Sequence, residues 1–136
     1  MTLYTALAVL QAAVYTKLTG DSQFAALCRT YDCVPNDAVC PYITIGHAQE
    51  LDCGTWQKRA WEVIVTFHLW DASGSNATLF TLLGHLDRLF DQNHAGLTLT
   101  SGTCVSAMRE SAGEPLADPD GIHRQLPVKF RFRVQA

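Results

Sequence analysis

Leu3, Leu7, Leu10, Val14 and Leu18 recur at intervals of three and four, while Thr5, Gln11 and Lys17 lie off that stripe. The spacing predicts an amphipathic helix with one face toward a core, ending near Gly20. Asp21 or Ser22 then presents a side-chain oxygen to the free amides of a short second helix through Phe24, Ala25, Leu27 and Cys28. Between residues 31 and 41 the prolines and Asn36-Asp37 break regular structure, and Pro41 holds its predecessor extended. Tyr42-Ile43-Thr44-Ile45 reads as a short strand, because β-branched and aromatic residues suit a pleated surface. Residues 47–60 read as a mixed-charge loop or hairpin tip with Trp56 inside it.

The period changes to two over residues 61–70. Trp61, Val63, Val65, Phe67 and Leu69 share a wholly apolar face, and Glu62, Ile64, Thr66, His68 and Trp70 share a mixed one. A strand of this kind suits a sheet covered by helices on one side and by another subunit or partial solvent on the other. Gly74-Ser75-Asn76 breaks the chain before Leu79, Leu82, Leu83, Leu86, Leu89 and Phe90. These predict a second long helix, capped by Ser75 or Asn76 and fraying near residues 93–96. Residues 97–108 favour a strand in which Gly102 marks a bulge, and the glycines and prolines of 111–121 make a polar turn. In the last strand Ile122, Leu126, Val128, Phe130, Phe132 and Val134 face one way; His123, Gln125, Lys129, Arg131 and Arg133 face the other. Pro127 cannot donate to a ladder and marks an edge, a bulge or a strand start. The expected fold is α+β: a mostly antiparallel sheet with helices packed on one face, in one domain spanning residues 1–136.

Composition narrows the function. Hydrophobic residues make up 48% and charged residues 17%, enough apolar side chain for a core and too little charge for a disordered tail. A net charge of −3 argues against a free-standing nucleic-acid binder, which needs a concentrated basic surface. Met1-Thr2-Leu3-Tyr4 carries no cationic leader, and Gln11 and Lys17 interrupt the apolar run, so a soluble protein made in the cytoplasm is expected, with no membrane span. Cys28, Cys33, Cys40, Cys53 and Cys104 contain no C-x-x-C pair and read as reduced thiols packed as small hydrophobes rather than as a zinc site.

Candidate chemistry is sparse. The five histidines, at 47, 68, 85, 94 and 123, fall in different predicted elements without an adjacent motif. Ser73-Gly74-Ser75 lacks the flanking glycines of a nucleophile elbow, and no glycine-rich loop ends in Lys-Ser or Lys-Thr. Glu110, Glu114, Asp118 and Asp120 cluster along one loop, yet the alternation of a calcium loop is missing and a solvated turn accounts for the same letters. No catalytic, cofactor-binding or metal residue is therefore assigned. The surface is more informative. Trp56, Trp61 and Trp70 exceed what one small core needs, and large rigid aromatics are enriched at protein interfaces. The interface candidates are Trp56, Lys58 and Arg59 on the 47–60 segment, His68 and Trp70 on the mixed strand face, and the Arg131/Arg133 stripe.

Three segments in order carry a resemblance: Tyr31-Asp32-Cys33-Val34-Pro35 leading to Pro41-Tyr42-Ile43-Thr44-Ile45-Gly46, then 63–70, then Asp118-Pro119-Asp120-Gly121 before Phe130-Arg131-Phe132-Arg133. With the opening helix, they make the chain similar over nearly its whole length to the tail-completion, or tail-terminator, family of long-tailed bacteriophages and phage-like gene transfer particles. The resemblance implies a structural virion protein at the head–tail junction, assembled in the bacterial cytoplasm. It also implies a homo-oligomer, a hexameric ring between the tail-tube protein and the head connector, which stops tube growth and docks the filled head. DNA would then pass through the lumen without specific binding, and Glu114 and Asp118 are candidates to line it, since negative charge discourages DNA from adhering. Two other classes compete: another head–tail adaptor protein, and a small oligomeric α+β hydrolase using an Asp or His at a subunit boundary.

Overall fold

The computed structural model describes residues 3–136. Helices α1 (Leu7–Gly20) and α2 (Ser22–Leu27) precede strands β1 (Arg29–Tyr31), β2 (Tyr42–Asp52) and β3 (Ala60–Asp71). Helix α3 (Ala77–Phe90) and a 3-10 turn (His94–Gly96) follow, then β4 (Thr103–Ala112), β5 (Leu116–Ala117) and β6 (Arg124–Gln135). The strands form one sheet in the order β1-β2-β3-β6-β4, with β5 also pairing β6. Every pairing is antiparallel except β1 with β2, so the fold is the expected α+β sheet with its helices on one face.

The two-residue period of β3 and β6 makes that one-sided layering. Val63, Val65, Phe67 and Leu69 on β3, and Leu126, Val128, Phe130, Phe132 and Val134 on β6, are buried beneath the helices. Leu79, Leu82, Leu86, Leu89 and Phe90 close over them from α3, and Leu10, Val14 and Leu18 from α1. At the centre the Phe90 ring meets those of Phe67, Phe130 and Phe132 at centroid separations of 5.7, 5.8 and 5.9 Å. Stacked and edge-on rings at that range add attraction beyond their buried area.

Local chemistry sets the helix starts. The Asp21 carboxylate accepts from the Phe24 amide at 2.9 Å and begins α2, which stops at Leu27 because Cys28 is already extended. Cys28 therefore lies outside the helix that the sequence assigned to it. Leu3 is buried but precedes α1, whose first described turn begins at Leu7. At α3 it is the Ser75 hydroxyl that accepts from the Ala77 amide, at 3.2 Å, while Asn76 turns its side-chain oxygen to Arg124 at 2.8 Å.

Several expectations are corrected. The strand at 42–45 continues to Asp52, so the predicted 47–60 loop shrinks to a tip at 53–59. A register shift between Ile45 and Ala48 hides this, because a bulge changes the phase of the inside–outside alternation. Gly46 sits in that bulge against the His68 ring, where an added Cβ would lie 2.8 Å from His68 Cδ2. The predicted 97–108 strand begins only at Thr103; Gly102, at φ +80°, turns the chain into it, and the register shifts fall beyond Gly102, at Cys104/Ser106 and Arg109/Ser111. The polar turn at 111–121 gives up its start to β4 and its middle to β5. Ile122 is 62% exposed rather than part of the apolar face, because the Asp120 carboxylate holds the Ile122 and His123 amides in a turn and β6 starts at Arg124. Pro127 lies within β6 between the residues that pair β4 and those that pair β5. Its carbonyl accepts from the Gly113 amide at 2.8 Å, and on that side, between β4 and β5, no strand residue is paired with it, although β3 pairs it through His68 on the other.

Candidate assembly surfaces

The sheet face turned away from the helices is the first surface. It carries half-buried Glu62, Ile64, Thr66, His68 and Trp70 from β3, with exposed Lys129, Arg131 and Arg133 from β6 and exposed Met108 and Glu110 from β4. Trp70 stacks on Tyr42 across the β2–β3 pair, at 6.2 Å and 23°, and Tyr42 meets Tyr31 of β1 edge-on at 5.7 Å. These three rings make one aromatic corner spanning three strands. His68 is fixed from two sides: Nδ1 lies 3.0 Å from Gln125 Oε1, and the ring rests over Gly46.

The basic stripe on this face is not uniform. Arg131 is clamped, with Nε 2.8 Å from Glu62 and Nη2 2.9 Å from Glu110. Among the described residues Arg133 and Lys129 form no ion pair, so their charges face outward. The sequence groups Arg131 and Arg133 together; the structure separates them, since Glu62 reaches diagonally past Arg133, its direct cross-strand neighbour, to Arg131.

The second surface is the β2–β3 hairpin tip. Two short-range bonds close it: Cys53 N–H to the Ala60 carbonyl at 3.0 Å and Thr55 N–H to the Lys58 carbonyl at 2.8 Å. Trp56 projects from it wholly exposed, while Trp61, two strand residues into the sheet, is buried and so drops out as a contact candidate. Arg59 lies over the Tyr4 ring at 4.9 Å from its centroid, and its carbonyl accepts from the Ala136 amide at 3.0 Å. The tip is thereby tied to both ends of the described chain.

The third surface is the acidic turn region at the opposite end of the sheet. Glu114 is exposed, whereas Asp118 is half-buried and engaged in the β5–β6 turn, its amide donating to the His123 carbonyl at 2.9 Å. Asp120, between them and the strand, is held at a pKa of about 2 by the His123 and Ile122 amides and the His123 ring. In the sequence this carboxylate reads as merely solvated; only the Asp-x-x-His spacing hints at the turn it makes.

The groups that elsewhere carry chemistry are dispersed. Among the described residues no three His, Cys, Asp or Glu side chains converge on a metal-sized site, and no helix is long and apolar enough to cross a membrane. Burial pushes the Cys28 thiol up to about 12, with the neighbouring Cys40 adding to the shift, which keeps it protonated and unreactive at neutral pH.

A small sheet with one face sealed by helices and the other presenting aromatic and basic side chains defines an α+β module with one open sheet face. The sequence model of the family described as "Tail completion protein gp17" matches residues 12–135, and the chain belongs to that family. A chain from the structure titled "Virion of native gene transfer agent (GTA) particle" superposes with a TM-score of 0.87 at 23% identity, covering 98% of this chain and 100% of that one. A second solved structure matches at a TM-score of 0.54 and 16% identity, covering 96% and 93%. At these identities the likeness is one of fold. No curated protein matches the chain.

Proposed function

We propose that this chain is a tail terminator: a structural virion protein that closes the head-proximal end of the tail tube as a ring, halts tube polymerisation and docks the head connector. The observation that carries the reading is the family match across residues 12–135, reinforced by the full-length likeness to a chain of a gene transfer particle. In this reading the protein works at the head–tail junction of a phage or phage-like particle, is put together in the bacterial cytoplasm, and has no catalytic step.

A ring needs two different surfaces on each subunit, which meet head to tail until rotation closes the circle. The bare sheet face, with Trp70, His68 and Arg133, and the hairpin tip, with Trp56, Lys58 and Arg59, supply surfaces of that kind. Edge-to-edge strand pairing is the poorer route. The exposed edge strand β4 is interrupted by two register shifts, and β1 at the other edge is three residues long. Glu114 and Asp118 then belong to the lumen side, where their charge keeps passing DNA from adhering.

The test is imaging of the purified protein alone and with polymerising tail-tube protein. Rings and tubes of arrested length capped at one end are expected. A strictly monomeric species that leaves tubes growing would overturn the reading, and capture by portal-bearing heads instead of tubes would reassign it as a different head–tail adaptor.

A further inference from the structure

Besides the bare sheet face, the described residues leave open a groove with apolar side chains in a mixed wall. Two adjoining clefts share Ala26, Leu27 and Pro41 as common wall. One continues along the 32–41 loop past Asp37, Val39 and Cys40, and the other along α3 past Ala77 and Thr81. Leu27 is 47% exposed and Val39 73%, so apolar surface on both sides of the groove is left in water.

The groove lies at the end of the sheet where β2 begins, and the hairpin tip lies where β2 ends. Eleven residues of strand separate them, about 30 Å at the usual rise per residue. No hairpin can therefore reach the groove of its own chain. Resting on the terminator reading, we infer that Trp56 of one copy seats in the Leu27/Val39/Pro41 groove of the next copy, adding a knob-in-groove contact to the head-to-tail interface of the ring.

Three observations favour this occupant. Trp56 is a wholly exposed indole on a braced tip, and an aromatic knob held in advance loses little entropy on docking. The charges are complementary. Over residues 52–59 Lys58 and Arg59 outweigh Asp52, while over residues 29–41 Asp32 and Asp37 outweigh Arg29. The carboxylates of Asp71 and Asp120 extend that negative field to Cys40 in the groove wall, where they join burial in raising its thiol pKa. Finally, the two surfaces are different patches of the subunit, as a heterologous interface requires.

The test uses two full-length variants at exposed positions, with unchanged circular dichroism as the check on folding. Trp56→Ala keeps the groove and loses the knob; Val39→Glu keeps the knob and spoils the groove. Each alone is expected to raise the concentration needed for assembly at least about tenfold, as loss of an interface anchor does. Mixed one to one, they retain a single matched pair of surfaces, so sedimentation should show heterodimers and no rings. Variants that assemble as the wild type does, or a mixture that stays monomeric, overturn this contact while leaving the terminator reading intact. Wild-type protein that neither assembles nor caps tubes overturns both.

Discussion

Glu50 of β2 caps α1 from across the fold: its carboxylate accepts from the Ala6 amide at 2.6 Å and from the Thr5 hydroxyl at 2.9 Å. Ala6 is the N-cap residue of α1, so its amide is one of the unpaired donors of the helix start, and a negative charge there complements the positive end of the helix. The cap also binds the far half of β2, beyond its bulge, to the helical layer. Glu50→Ala should therefore cost about 1–2 kcal/mol, and Glu50→Gln less, because the amide oxygen still accepts. Equilibrium denaturation of the three proteins checks the order; equal stabilities would show the cap to be idle.

At the centre of the core, Phe130 is fully buried against Phe67, Phe90 and Phe132. Truncating it to alanine leaves a ring-sized cavity among side chains already fixed by the sheet and α3. A loss of about 3–5 kcal/mol is expected by denaturant titration. A change near zero would contradict the face on which β6 buries its residues.

Gly46 tests the bulge. An added Cβ would stand 2.8 Å from the His68 ring and 2.9 Å from the Thr66 carbonyl, and the ring cannot withdraw without giving up Gln125. Gly46→Ala should destabilise by about 1–3 kcal/mol, the usual cost of overpacking, as denaturant titration would show. Gly20→Ala is the control, since a Cβ added there meets nothing within 4 Å.

These positions also mark what the sequence can disclose. The alternation along 61–70 and 126–134 is enough to orient both central strands, because each is buried on one face for its whole length. The helices follow from their three-and-four spacing. The bulge at Gly46 is not legible: it reverses the phase of β2 just where Gln49 and Glu50 turn polar, so a long strand looks like a loop. The short strands β1 and β5 carry too few residues for any period. For the surfaces, Trp56 is legible as a lone aromatic in a polar segment, whereas the groove joins residues from α2, the 32–41 loop and α3, which only folding brings together.

Asp21 links helix capping to pH. Its carboxyl sits below its ordinary value, first through the hydrogen bond from Arg88 and then through the Phe24 amide. A depressed carboxylate contributes stability that is complete above its unfolded value, near 3.8, and is lost as pH falls through the folded one. Asp21→Asn keeps a capping oxygen and loses the ion pair, which is partly exposed and so worth roughly 0.5–1 kcal/mol. The gap between the two proteins should be constant at neutral pH, narrow below about pH 4 and shrink with added salt. A gap that widens in acid would assign the shift to another group.

Arg131 and Arg133 alternate on one strand yet should respond differently to removal. Arg131 joins Glu62 and Glu110 on either side of β6, so Arg131→Ala leaves two carboxylates facing each other across the sheet. Because the cluster is exposed, the cost is expected to be below about 1 kcal/mol, and Glu62 can recover part of it by turning to its direct neighbour Arg133. Arg133→Ala alone should leave stability unchanged, since Arg131 already occupies Glu62. The double variant removes both partners, and its loss should exceed the sum of the single losses. A denaturation double-mutant cycle measures that excess; strict additivity would mean that Glu62 does not move between the two arginines and that the basic stripe is fixed as the structure shows it.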